Sequence, residues 1–348
     1  MHAIIALVLA LAALTGCASS PATGTGKIDK NGPPKPAWVD NPREVYSDAR
    51  YVAAVGYGPD RESAEKSALG ALVAVFGQNV SGETVVTSQY TEAVREGRVL
   101  VTEDSAVQQA VTSSWEQDTI VGAEIKDTWF DGNRTTYAVA VMDKSRAMVL
   151  YAELIEANES SIQSLTAIPA AERNTFDAYA RFDLAATIAE ANAGFVNVLS
   201  VVSPGAAAAR RSGLTMAEDM RLECRKIAEK IPITVQVEND REDRIRSAFS
   251  SVISGAGFKI AESGSRYTLQ AVLRLSETEL PKNPNKFARY QVESRLTDAQ
   301  NATSVLPWTI SGREGHATLP EAEHRAVRAA EKKIQTEFGA VFSDFLSR

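Results

Sequence analysis

From Ala3 to Leu14 the chain has no charged side chain, and this apolar run stops at Leu14-Thr15-Gly16-Cys17. A bilayer-spanning helix needs about 20 apolar residues, so the run is too short to cross. Small residues after an apolar stretch of this length mark a cleavage site instead. Residues 18–36, ASSPATGTGKIDKNGPPKP, are mostly Gly, Pro, Ser and Thr. They bury too little apolar surface to offset chain entropy and read as a disordered tether. Such a segment averages roughly 25 Å end to end and reaches about 60 Å when stretched. Whatever folds here therefore starts near residue 37.

The 348 residues leave room for two domains and a helical piece between them. With 44% hydrophobic and 23% charged residues, the body is globular rather than disordered. The net charge of −7 excludes nucleic acid as a partner class and gives anionic lipid headgroups nothing to attract. No stretch after Cys17 offers 18 consecutive apolar residues, so the body is expected to be soluble.

Leu14-Thr15-Gly16-Cys17 resembles the lipobox of bacterial lipoproteins. The resemblance implies that Leu14, Thr15 and Gly16 are read by the signal peptidase. Cys17 then becomes the first mature residue, acylated on its thiol and its new amine. One chain anchors weakly, two or more anchor stably. Ala18 and Ser19 follow where an Asp would retain enterobacterial lipoproteins in the inner membrane, which implies the outer membrane. The n-region is only Met1-His2, a departure that leaves room for a start further upstream. With Cys17 acylated, Cys224 has no partner, so no disulfide is expected; its helical setting reads as a buried, inert thiol.

The first domain, residues 37–145, opens at Pro36-Ala37-Trp38. Tyr51–Val55 reads as a buried strand, closed by a turn at Gly56-Tyr57-Gly58-Pro59. Asp60 caps a helix carrying Ala64, Ala68, Leu72, Val75 and Phe76. Glu83–Gln89 reads as a strand and Ser105–Gln117 as a polar helix. Val121–Phe130 and Arg134–Met142 form a hairpin around Asp131-Gly132-Asn133. This order, from Trp38 through Tyr51–Gly56 and the Ala-rich helix to Thr136–Lys144, resembles the LPP20 lipoprotein domain. That domain is named for a Helicobacter membrane-associated lipoprotein, and a similar one occurs in lipoproteins of the flagellar outer-membrane ring. The resemblance implies an envelope role and carries over no active-site residue.

Residues 146–213 read as a helical connector. Met148, Tyr151, Ala152 and Ile155 share one stripe. Pro169 starts a second helix with Phe176, Tyr179, Ala180, Leu184, Ile188 and Ala191 on one face. Ser203–Arg211 reads as an exposed loop or frayed helix. The second domain, 214–348, contains a helix at Met220–Lys230, a strand at Ile231–Val237 and a helix at Arg241–Ser254 capped by Asp240. Strands at Phe258–Ala261, Tyr267–Leu275, Ala288–Leu296 and Thr303–Ile310 follow. Glu321–Phe345 is a terminal helix opened by a Thr318/Glu321 capping box, with Ala322, Ala326, Ala330, Ile334, Phe338, Val341, Phe342 and Phe345 on its apolar stripe. The fold class is α+β: two helix-on-antiparallel-sheet domains joined by the connector.

Signs of chemistry are few. Gly56-x-Gly58 lacks the third glycine of a dinucleotide loop, and Asp60 would repel phosphate. His316 and His324 are too few and too far apart for zinc. Arg325, Arg328, Lys332 and Lys333 read as a solvated face; Trp38, Trp115, Trp129 and Trp308 read as core or interface packing rather than sugar platforms. The expectation is an outer-membrane-anchored periplasmic lipoprotein with no enzymatic activity, metal or cofactor. Its role would be structural or protein-binding, through an envelope partner or self-association, with a flagellar ring as one setting. A peptidoglycan-binding or synthase-regulating lipoprotein is the first alternative and a cell-wall enzyme the second.

Overall fold

The computed structural model describes residues 34–77, 84–99 and 120–348. The lipobox, the tether, the expected helix at Ser105–Gln117 and Trp115 lie outside the described residues.

Helix α1 (Ala37–Asp40) leads into strand β1 (Tyr51–Gly58). Next come helices α2 (Arg61–Val75) and α3 (Thr84–Arg95), then strands β2 (Glu124–Phe130) and β3 (Thr136–Asp143). The three strands form an antiparallel sheet in the order β1-β3-β2. Asp60 caps α2 through a 2.8 Å bond from the Ser63 N–H. At the hairpin tip Gly132 has φ +78°, and the Asp131 carboxylate accepts from the N–H groups of Asn133, Arg134 and Thr135.

Two expectations fail in this region. Gly56 and Gly58 do not make a turn; they extend β1 to its eighth residue. A Cβ on Gly56 would lie 2.0 Å from the Ala68 amide nitrogen, so both glycines serve the close approach of α2 to the sheet. The expected strand at Glu83–Gln89 is instead the start of α3. Its β-branched residues favour a strand, but tertiary packing of Tyr90 and Ala93 against the long helices overrides that local preference.

Helix α4 (Lys144–Thr166) and helix α5 (Phe176–Val202) are the expected hairpin. Contacts of Ser164 with Arg181, Asn158 with Asn192 and Tyr151 with Phe195 run in opposite directions along the two, so they are antiparallel. On α4 the buried stripe is Ala147, Tyr151, Leu154, Ile155 and Ile162, while Met148 is exposed. Pro169 precedes only a 3₁₀ turn; α5 begins later, at Phe176, with Thr175 accepting from the Ala178 N–H.

α5 is apolar on nearly every side, which in a helix means burial all round. Its 27 residues make a rod about 40 Å long. Phe176, Ala178 and Phe182 belong to the C-terminal core; Val196, Val198, Leu199 and Val202 belong to the N-terminal one. Between them Ala185, Ile188 and Ala189 pack against α3 and α4. By length and composition α5 would suit a membrane span, yet half of its apolar window is buried inside the fold. The connector is thus a shared core element rather than a spacer.

The segment expected as an exposed loop or a frayed helix is helix α6 (Pro204–Arg211), with Ala207 buried. Beyond it lie α7 (Ala217–Lys230), β4 (Pro232–Glu238), α8 (Arg244–Gly255) and β5 (Lys259–Ala261). Strands β6 (Tyr267–Thr278), β7 (Lys286–Asp298) and β8 (Thr303–His316) form a long meander. The sheet order is β5-β4-β6-β7-β8, with the meander antiparallel. The sheet is largely antiparallel; β4 runs parallel to both neighbours, β5 being reached through the intervening α8. Asp240 does cap α8, bonding the Arg244 and Arg246 N–H groups, but the helix starts three residues late because Asp243 sits at φ +54°.

The last helix is α9 (Leu319–Lys333), a π-helical turn (Ile334–Phe338) and α10 (Gly339–Leu346). Its buried residues are Ala322, Ala326, Ala330, Ile334, Phe338, Phe342 and Leu346, every fourth position. At 100° per residue such a stripe drifts about 40° per step around an ideal helix. The wider π turn absorbs part of the drift and keeps the stripe on the sheet. Val341 and Phe345, expected on the stripe, lie beside it, exposed and half-buried respectively. Thr318 occupies the N-cap but its side chain makes no cap bond.

Asp298 closes β7 and is 4% exposed. Arg266 grips it from Nε at 2.9 Å and Nη2 at 2.7 Å, which holds its carboxyl below the usual carboxylate range. A lowered folded pKa means that the stabilisation is whole above the unfolded value of 3.8 and is lost as pH falls through the folded one. Arg266→Gln strands a buried carboxylate, with an expected cost of about 3 kcal/mol at neutral pH. Urea melts across pH should show the gap between wild type and variant shrinking below the ordinary carboxylate value.

Candidate partner-binding surface

Helix α1 lies on the outer face of the N-terminal sheet. Trp38 is buried there against Val139 and Val141, and its indole N–H donates to the Asp127 carboxylate at 3.0 Å. This face exists because β3 alternates Ala with Val: Ala138 and Ala140 turn to α2, Val139 and Val141 to Trp38.

Toward the hairpin tip the same face carries an aromatic row. Tyr57 lies directly opposite Tyr137, and Tyr137 directly opposite Trp129, so one residue from each strand lines up across the sheet. The ring centroids are 6.3 Å apart for Tyr57–Tyr137 and 5.6 Å for Trp129–Tyr137. Tyr57 is 68% exposed, while Tyr137 and Trp129 are half-buried. A largely exposed aromatic at the end of such a row is unusual on a water-facing surface and common where a partner docks. The sequence hid the row because Tyr57 was read into a turn.

Other sequence candidates stay scattered. His324 lies between Arg244 at 3.1 Å and Arg328 at 3.3 Å, while His316 ends β8. Among the described residues no group of three His, Cys, Asp or Glu is placed to hold a metal ion. Cys224 is buried and donates to the Tyr179 carbonyl; burial, reinforced by the Asp183 charge, pushes its thiol up to about 12. Such a thiol is inert. Arg325 and Arg328 are exposed and reach toward Glu321, and Lys333 toward Glu337, a solvated face as read. Trp308 packs against Phe249 and Phe338.

A cavity of about 590 Å³ opens between α3, α5 and the end of α10, lined by Glu92, Glu96, Asp183 and Asp344 with Arg98 and Arg348. Arg98 Nη1 donates to the Ser347 carbonyl at 3.0 Å across its rim. Burial raises the Asp183 carboxyl; the charge of Arg221 opposes this and that of Glu190 adds to it. No sequence signal linked these elements, which lie some 250 residues apart.

Residues 36–143 match the LPP20 lipoprotein family. The matched segment spans α1 to β3 and contains both Trp38 and the aromatic row. The match supports an envelope lipoprotein. No curated protein matches the chain. Among solved structures, the secreted protein HP1454 of Helicobacter pylori is similar at 13% identity and a TM-score of 0.45, covering 82% of this chain and 97% of that one. A Caulobacter crescentus chain described as a lipoprotein has 18% identity and a TM-score of 0.25, over 32% and 90%. A minor lipoprotein of Acinetobacter baumannii has 11% identity and 0.25, over 32% and 93%.

Proposed function

We propose that this chain is an outer-membrane lipoprotein, anchored through acylated Cys17 with its body in the periplasm, and that it docks an envelope protein or a second copy of itself rather than catalysing a reaction. The observation that carries the reading is the Tyr57–Tyr137–Trp129 row on the face that Trp38 packs against. Aromatic side chains give large contact area at low entropic cost. The tether adds local concentration: partner capture becomes a nearly two-dimensional encounter. A ring-like assembly at the flagellar base is one setting for such docking.

The test is a photo-crosslinker placed at residue 57 in living cells, with residue 66, on α2, as control. Adducts of defined mass at 57 and none at 66 are expected. Absence of adducts at 57, or equal labelling at both, contradicts the reading.

A further inference from the structure

Among the described residues, helices pack on one face of the C-terminal sheet. Its bare face alternates Thr268, Gln270, Arg274, Gln291, Glu293 and Arg295 across the central strands. A concavity of about 690 Å³ lies there, lined by Gln236, Gln270, Glu293, Arg295, Ser304 and Thr309 among others. Four residues further along the paired strands, roughly 13 Å away, Arg289 of β7 stands directly opposite Arg313 of β8. Both are exposed.

Like charges directly opposite one another destabilise a sheet. Among the described residues no carboxylate lies within 4 Å of either guanidinium; Glu314 follows Arg313 but alternates to the other face, and Glu293, on the same face of β7 as Arg289, is already held by Arg274 at 2.8 Å and Gln291 at 2.8 Å. Edge protection accounts for a charge on β8, the outermost strand, but not for Arg289 on β7 inside the sheet. Arg313 is pre-positioned, lying 5.6 Å over the Phe287 ring, which itself lies across Gly315. Two forks facing outward with no internal partner suit external carboxylates.

We propose that this face binds peptidoglycan: sugar hydroxyls and amides in the concavity lined by Gln236, Gln270, Ser304 and Thr309, and stem-peptide carboxylates on Arg289 and Arg313. The separation of the two features along the strands suits an elongated polymer carrying both sugars and carboxylates better than a small ligand. A bilayer is the poorer occupant. None of the large exposed hydrophobic residues among the described ones lies on this face, and the chain's net charge of −7 repels anionic lipid. The inference is independent of the aromatic row, since it concerns a different sheet.

The test is co-sedimentation of the full chain in detergent with purified sacculi, comparing wild type with the Arg289→Gln/Arg313→Gln double variant. Losing the charge-assisted bonds should weaken binding at least about ten-fold. The variant should melt no lower than wild type, because a like-charge repulsion has been removed. Glycan strands stripped of stem peptides by an amidase should bind as weakly as the variant does to intact sacculi. Equal sedimentation of both proteins, sedimentation of neither, undiminished binding to stripped strands, or equal retention on anionic phospholipid vesicles would each overturn the proposal. A Tyr57→Ser variant should sediment like wild type, which separates this outcome from failure of the docking reading.

Discussion

Replacing Gly56 with alanine is expected to cost the fold about 3 kcal/mol or more, among the largest effects any single substitution here can have. The added methyl would lie 2.0 Å from the Ala68 nitrogen, 2.4 Å from the Ser67 carbonyl carbon and 2.6 Å from the Ala68 Cα. All three are backbone atoms of α2, so no side chain can swing aside. Relief requires α2 to lift from the sheet, and that opens the core formed by Ala64, Ala68 and Leu72 against Val52, Ala138 and Ala140. The control sits in the same helix. A Cβ on Gly70 meets nothing within 4 Å, so Gly70→Ala should be neutral or stabilising by up to about 1 kcal/mol. Urea denaturation followed by far-UV circular dichroism checks both. A Gly56→Ala protein as stable as wild type would mean that α2 does not lie on β1.

The second large effect is expected at Asn192. Tyr90 Oη donates to Asn158 Oδ1 at 2.9 Å, Asn158 Nδ2 to Asn192 Oδ1 at 2.8 Å, and Asn192 Nδ2 to Glu159 Oε1 at 2.9 Å. Glu159 in turn accepts from the Thr215 hydroxyl at 2.7 Å. This chain of bonds joins α3, α4, α5 and the approach to α7, with both asparagines fully buried. Asn192→Leu keeps the volume but leaves the Asn158 amide and one Glu159 bond without partners, a cost of about 3 kcal/mol. Asn158→Leu in the same background should add less than it costs alone, because the partner it would strand is already gone. A double-mutant cycle reads this directly; strictly additive, small costs would show that the network does not hold the helices in register.

Much of the architecture is legible in residue patterning, and the exceptions have physical causes. Helices with one apolar stripe, such as α8 and the first two-thirds of the last helix, declare themselves because burial follows the helical period. α5 does not: apolar all round, it gave no sign that its two ends enter different cores. Gly56 was misread since a glycine that admits a helix and a glycine that turns the chain look identical in sequence. Thr84–Gln89 carries strand-forming residues and is helical because its downstream neighbours Tyr90 and Ala93 are held by distant helices. The two proposed surfaces were the least legible. Tyr57, Tyr137 and Trp129 meet through strand register, as do Arg289 and Arg313, and register over such separations is set by the whole sheet.

The account's central claim is that fatty chains at one sulfur hold this body against an envelope surface. The intact mass of the protein purified from cell membranes tests it most directly. A polypeptide beginning at Cys17 and heavier than its sequence by two or more acyl groups is the expected result. A chain that keeps residues 1–16, or one that begins at Cys17 without added mass, would contradict it.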